Sequence, residues 1–234
     1  MKALIFDVDG TLAETEDLHR KSFNTCFKEF ALPWHWDRAL YKKLLDVNGG
    51  RERLKHYAEI SNFGPIDESA IHQRKTKIYT DSVLAGAIGL RPGVESMILR
   101  AKKAGLKLAI ATTTSRNNVD SLLTATLGAD VIGWFDVMSC GDEVSAKKPD
   151  PELYDLALRR LELSAGDCMA IEDSWLGLAA ARAAGIPTII TPNPYTDHHD
   201  FPGALAIYPT LDVLLSEIDA GALPTKLAGF SQLA

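Results

Sequence analysis

The sequence predicts an α/β protein, a doubly wound parallel sheet into which a block of helices is inserted. Three observations carry this. The chain opens on a short apolar run, Ala3-Leu4-Ile5-Phe6, that reads as a buried strand. From Glu14 the apolar residues then keep helical spacing for about seventy residues with no strand between them. After Arg91-Pro92-Gly93, short apolar runs alternate with helical stretches, a pattern that implies parallel strands covered by helices on both faces.

Taken in order, Leu18, Phe23, Cys26, Phe27 and Phe30 mark a first inserted helix. Leu40, Leu44 and Leu45 mark a short second one, and Leu54, Tyr57 and Ile60 a third. Ser61 to Pro65 is a loop, and Asp67 is placed to cap a long helix carrying Ile71, Ile78 and Val83. Beyond Gly93 a helix near 94–104 stops at Gly105, and Leu106–Ala111 is a buried strand ending in Thr112-Thr113-Thr114-Ser115. A helix near 119–127 precedes a strand around Phe135–Ser139. Asp150-Pro151 reads as cap plus first-turn proline of a helix through Leu161. Strand Cys168–Ile171 runs into Glu172-Asp173, a helix over 176–184 stops at Gly185, and Ile186–Thr191 is a further strand. The end beyond Gly221 is expected to be loosely held.

At 234 residues the chain is long enough for one core with an insertion. Its net charge of −6 and lack of a basic tract argue against nucleic acid as a partner. No apolar run approaches a membrane span, and Met1-Lys2 leads straight into the first strand, so neither a membrane partner nor a signal peptide is expected. The three cysteines are odd in number and far apart, which fits a reduced, cytoplasmic setting, and a monomer is expected.

The chemistry begins where the first strand ends, at Asp7-Val8-Asp9-Gly10-Thr11. Alternate residues of a strand share a face, so Asp7 and Asp9 project into one space. Gly10 permits a tight turn, and Thr11 is placed to hydrogen-bond it. Two like charges held together are costly unless a cation lies between them, and Mg2+ suits oxygen ligands while keeping room for substrate. In open α/β sheets ligands bind beyond the carboxyl ends of the strands, and Asp7, Thr112 and Asp173 each follow such an end. Thr112 can serve either as an anion-binding hydroxyl or as the cap of the next helix.

This ordered set resembles the haloacid dehalogenase-like hydrolases. The resemblance implies a Rossmann-like core over residues 1–13 and 91–234 and an α-helical cap domain over 14–90. It further implies Asp7 as a nucleophile that becomes phosphorylated, Asp9 as general acid/base and Thr112 as a partner of the transferring phosphoryl group. Lys148, ahead of Pro149, would neutralise that charge, with Lys147 the competing register. Glu172 and Asp173, together with Asp7 and Asp9, are the implied metal ligands, Glu172 directly or through water. The whole chain is covered by these motifs.

Cations concentrate on two cap stretches, Gly49-Gly50-Arg51-Glu52-Arg53 and His72-Gln73-Arg74-Lys75, and Arg116 is expected to face them from the core. Because the core already provides for one phosphate, this surplus points to a second anionic group on the substrate. With Thr15-Glu16 and Thr112-Thr113-Thr114-Ser115-Arg116-Asn117-Asn118, these stretches resemble the CbbY-type sugar-phosphate phosphatases. The resemblance implies xylulose 1,5-bisphosphate as substrate, with Glu16 and those stretches holding the sugar and its distal phosphate. A β-phosphoglucomutase-like mutase and a non-catalytic phospho-acceptor sensor are the alternatives. His198-His199, Cys140 and the four tryptophans are read as surface or packing residues, and Tyr41 either as packing or as lining the cap face.

Overall fold

The computed structural model describes residues 1–47 and 49–234. Among them, six strands form one parallel sheet in the order β3-β2-β1-β4-β5-β6. These are β1 (Ala3–Phe6), β2 (Lys107–Ala111), β3 (Val137–Ser139), β4 (Cys168–Glu172), β5 (Thr188–Ile190) and β6 (Ala206–Ile207). The first strand is thus the central one. The chain winds outward from it through β2 and β3, then returns to its other side for β4 to β6, so the order reverses at β1. That reversal opens a crevice at the carboxyl edge of β1. In register, Phe6 lies beside Ile110 and Ile171, so the residues just after all three strands emerge together.

The four inserted helices are α1 (Glu16–Glu29), α2 (Arg38–Leu44), α3 (Gly50–Ile60) and α4 (Glu68–Leu84). They bury an apolar cluster of their own, built on Phe23, Phe27, Trp34, Trp36, Tyr41 and Leu54. The Asn24 side chain holds the Trp36 backbone by accepting from its N–H and donating to its carbonyl, both at 2.8 Å. The Asp67 carboxylate caps α4 by accepting from Ala70 N, as the sequence predicts. The two strands of chain joining helices to sheet lie side by side: Ala13 pairs with Leu90, and Arg91 N donates to Leu12 O. The Arg91 guanidinium pins this crossing to the sheet by donating to the carbonyls of Gly10, Thr191 and Pro192.

The remaining helices are α5 (Val94–Lys103), α6 (Arg116–Leu127), α7 (Glu152–Leu161), α8 (Trp175–Ala183) and α9 (Leu211–Asp219). At the start of α7, Asp150 accepts from Glu152 N, with Pro151 between them. Two sequence expectations fail here. Strand β6 and helix α9 are additional elements. The chain beyond Gly221 is not loose either: Leu227, Phe230 and Leu233 are buried in the main core, and Gln232 donates to Met1 O. Three apolar side chains at spacings of three residues give that segment one face to bury, which charge and composition alone did not reveal. Among the described residues no helix is long and apolar enough to cross a membrane. All three cysteines are buried and unpaired, and burial pushes the Cys140 thiol up to about 12, as expected of a packing residue.

Candidate active site

A cavity of about 360 Å3 lies between the carboxyl edge of the sheet and the inserted helices. Asp7, Asp9, Lys148 and Asp173 line its floor. Lys148 donates to Asp7 Oδ1 at 2.6 Å and to Glu172 Oε1 at 2.5 Å, which decides the register in its favour. The neighbouring Lys147 points the other way, across the cleft to Glu52 of α3.

Carboxylate oxygens of Asp7, Glu172 and Asp173 lie within 4.8 Å of one another, all buried. Burial, then the charge of Glu172, raises the Asp7 carboxyl despite the opposing Lys148. Burial, then Asp7 and Glu172, likewise raises Asp173. Such a set is strained by like charge and consists of hard oxygen donors, so its chemistry fits a divalent cation of the Mg2+ type. Gly10, at φ +82°, keeps this space open: a Cβ there would collide with Asp173 and Asn193. Asn193 Nδ2 donates to Asp173 Oδ2 at 2.6 Å and orients it. Thr11 turns its hydroxyl towards Asp173 Oδ1 at 3.5 Å, not into the turn that the sequence assigns it.

Asp9 has different surroundings, and its side chain is not one of these three clustered carboxylates. Its Oδ1 accepts from Thr15 at 2.6 Å and faces His19 Nε2 at 3.1 Å, so it stands apart from the acidic group. On its other side, His19 Nδ1 lies 2.6 Å from Lys75 Nζ. A lysine ammonium donates only, so that nitrogen accepts and the imidazole proton sits on Nε2, facing Asp9. Burial alone would raise Asp9, but His19 and Thr15 overcome it and hold the carboxyl near 2. Burial, then the charge of Lys75, lowers His19 against the opposing charge and hydrogen bond of Asp9.

Lys75 itself is drawn down to about 8, chiefly by burial. A lysine whose folded value lies below its unfolded one destabilises the fold while it is charged. Between about 8 and the ordinary 10.5 the unfolded chain holds the extra proton, so stability should rise with pH across that window. Urea titrations through the window check this, and Lys75→Met should flatten the slope.

The comparisons with known proteins follow the same lines. Residues 4–191 match the family model described as Haloacid dehalogenase-like hydrolase. The chain belongs to the haloacid dehalogenase-like hydrolases. Among its relatives, Protein CbbY of Cupriavidus necator is 50% identical over 218 residues, spanning 90% of this chain and 86% of that one. The crystal structure of CbbY from Rhodobacter sphaeroides in complex with phosphate superposes with a TM-score of 0.88 at 42% identity, covering 92% of this chain and 96% of that one. A mutant of that CbbY in complex with xylulose-(1,5)bisphosphate gives 0.87 at 42% identity, covering 90% and 95%. Within the family this hydrolase is of the CbbY type, and its enzyme class is that of the family's phosphatases.

In this hydrolase the expected substrate residues divide by side-chain direction. Glu16, Gly49, Gly50, Arg51, Arg53, His72, Lys75, Thr113, Thr114, Ser115 and Asn118 line the cavity. Thr112 sits just beneath it, its Oγ1 accepting from Thr114 N at 3.3 Å, so it shapes the turn while remaining close to the floor. Arg53 is buried with its N–H groups committed to Leu44 O, Val47 O and the Tyr41 hydroxyl. Tyr41 in turn donates to Glu16 Oε2 at 3.0 Å, so it packs and also fixes a cavity residue.

Five expected residues point elsewhere. Arg74 pairs with Glu29 through two hydrogen bonds on the outside of the helical block. Gln73 is exposed beside it. Arg116 pairs with Asp120 one turn along α6, and Asn117 is exposed there. Glu52 is committed to Lys147. The physical reason is helical period: His72 and Lys75 are three residues apart and share a face, which turns Gln73 and Arg74 away. His19, Asn193 and Tyr154 were missed. His19 stands one turn after Thr15, a spacing that could have flagged it, whereas Asn193 and Tyr154 carry no local signal.

Proposed function

We propose that this chain is a Mg2+-dependent phosphatase of small phosphorylated sugars, with xylulose 1,5-bisphosphate the favoured substrate. The observation that carries this reading is the cavity, with Asp7, Lys148 and Asp173 at the sheet end and Arg51, His72, Lys75 and Lys147 towards the helices. An end that would hold Mg2+ beside Lys148, and a second end carrying Arg51, Lys75 and Lys147, suit a substrate with an anionic group at each end. A CbbY protein 42% identical to this chain is seen with a bisphosphate of that kind, which supports the choice. Residues 14–90 then act as the cap, hinged where Ala13 lies against Leu90, and residues 1–13 with 91–234 as the core. Closure of such a cap excludes water from the phosphoryl group.

The transferring group spreads its negative charge over several oxygens, so catalysis is mainly positioning and charge stabilisation. Asp7 attacks phosphorus and carries the phosphoryl group as an aspartyl phosphate. Lys148 offsets the charge of both partners as they approach. Thr113, Thr114 and Ser115 line the cavity just ahead of α6, where the start of a helix favours phosphoryl oxygens. Asp9 protonates the leaving sugar oxygen, then takes a proton from the water that cleaves the intermediate. In the resting site it is an anion, the form that the second step uses; for the first step it takes up a proton from solvent, and the His19 Nε2–H against it orients the carboxyl. Asp7 and Asp173 would hold Mg2+, with Glu172 close by. Bound there, the ion supplies charge neutralisation that lets a carboxylate approach a phosphate dianion.

The test is phosphate release from a panel of sugar mono- and bisphosphates, with Mg2+ and with chelator. Release strongest from the bisphosphate and lost on chelation is expected. Interconversion of hexose phosphates without release would assign mutase chemistry instead. Arg51, exposed at the start of α3 and facing the cavity, refines the test. Arg51→Ala should cost about 1.5–3 kcal/mol in kcat/KM on the bisphosphate, the worth of a hydrogen bond between charged groups. A monophosphate without the distal group should be affected much less. Equal losses on both would give Arg51 a structural role.

A further inference from the structure

One buried hydroxyl close to the reacting carboxylate has no part in the chemistry above. It belongs to Tyr154, in the first turn of α7, the helix that follows Lys148 and Pro149. Tyr154 is fully buried, and its hydroxyl donates to Glu172 Oε1 at 2.6 Å. That same oxygen accepts from Lys148 Nζ, and the ammonium also lies 5.2 Å from the centre of the Tyr154 ring. On the far side, Glu172 is walled in by α8: a Cβ on Gly177 would overlap its whole carboxylate. Its Oε2 accepts from Asp173 N at 3.3 Å.

We propose that Tyr154 is a positioning residue of the phosphatase site, holding Lys148 in place through Glu172. The inference rests on the phosphatase reading above. Its physical basis is competition for one ammonium. Lys148 sits between two carboxylates, Asp7 and Glu172, on a side chain of four flexible bonds. A Glu172 oxygen that has no other donor draws the ammonium towards itself. The tyrosine hydroxyl supplies a second donor to that oxygen, so Lys148 is shared with Asp7 and remains facing the space where phosphoryl oxygens bind. The ring flanks the ammonium and limits its sideways motion. Glu172 therefore anchors Lys148 while it stands in the acidic group that fits the cation.

The experiment compares Tyr154→Phe, which keeps the ring and loses the hydroxyl, with Tyr154→Leu, which loses both. Tyr154→Phe should melt close to wild type yet lose about tenfold in kcat on the bisphosphate, the usual scale for a group that orients a functional side chain. KM, which also reflects cap contacts, should move less. Calorimetric binding of inorganic phosphate with Mg2+ present should weaken too, which reads the effect without turnover. In a Glu172→Gln background the same loss of hydroxyl should change little, because the anchor it serves is gone. A purely structural tyrosine would instead give wild-type behaviour in Tyr154→Phe and impairment only in Tyr154→Leu, and that result overturns the proposal. Equal losses in both backgrounds overturn it as well. Wild-type protein that neither binds phosphate nor releases it would overturn the phosphatase reading, and this inference with it. Normal wild-type turnover beside a fully active Tyr154→Phe removes the inference alone.

Discussion

Asp7→Asn is expected to abolish phosphate release while leaving the fold intact. The carboxylate it replaces stands at the end of the central strand, with Asp7 N bonded to Ile171 O, so the backbone position does not depend on the side chain. The amide removes the attacking charge and one of three clustered carboxylates, and a loss on the order of 10^4 or more is expected for a covalent nucleophile. Stability should move the other way. Burial and Glu172 already raise the Asp7 carboxyl, so its ionised form is unfavourable in the metal-free protein. Neutralising it relieves like-charge repulsion, and Asp7→Asn should melt no lower than wild type in the presence of chelator. Mg2+ should then stabilise the variant less than the wild type. Folded Asp7→Asn with near-normal turnover would falsify the aspartyl-phosphate mechanism.

The same strand shows why so much of the site was legible in the sequence. Ala3–Phe6 is buried on both faces, so it reads as a continuous apolar run, and a run that ends in two acids announces a strand end at a functional edge. Thr112, Lys148 and Asp173 were found likewise, because each follows a strand or precedes a helix whose pattern is local. What the sequence hid depends on direction and distance. Arg74 and Lys75 are adjacent and both cationic, yet one faces Glu29 on the outside and the other meets His19 inside. Charge counting treats them alike, and only the helical period of α4 separates them. Tyr154 and Glu172 are 18 residues apart, and their contact arises from the packing of α7 on the sheet, which no local pattern encodes. The C-terminal segment failed for a related reason, since its three buried side chains become a face only against the finished core.

Asp9→Ala should separate the two carboxylates of the motif. This variant keeps the nucleophile, Lys148 and the acidic group intact, because the Asp9 side chain is bound to Thr15 and His19 and not to that group. On the mechanism proposed above, what it loses is the group that protonates the leaving oxygen and later deprotonates water. Each step should slow by about 10^2 to 10^4 on a sugar phosphate. An aryl phosphate with a nitrophenolate leaving group needs no proton for the first step, so that step should be largely restored. The second step still lacks its base, so the aspartyl phosphate should accumulate. Rapid mixing should then show a burst of nitrophenolate equal to the enzyme present, followed by slow release of phosphate. Because His19 and Thr15 hold the wild-type carboxyl near 2, the resting anion is suited to the second step, and the burst isolates the step that anion serves. If alkyl and aryl phosphates lose rate equally and no burst appears, Asp9 is not the acid/base, and its hydrogen bonds to Thr15 and His19 serve only to order the hinge.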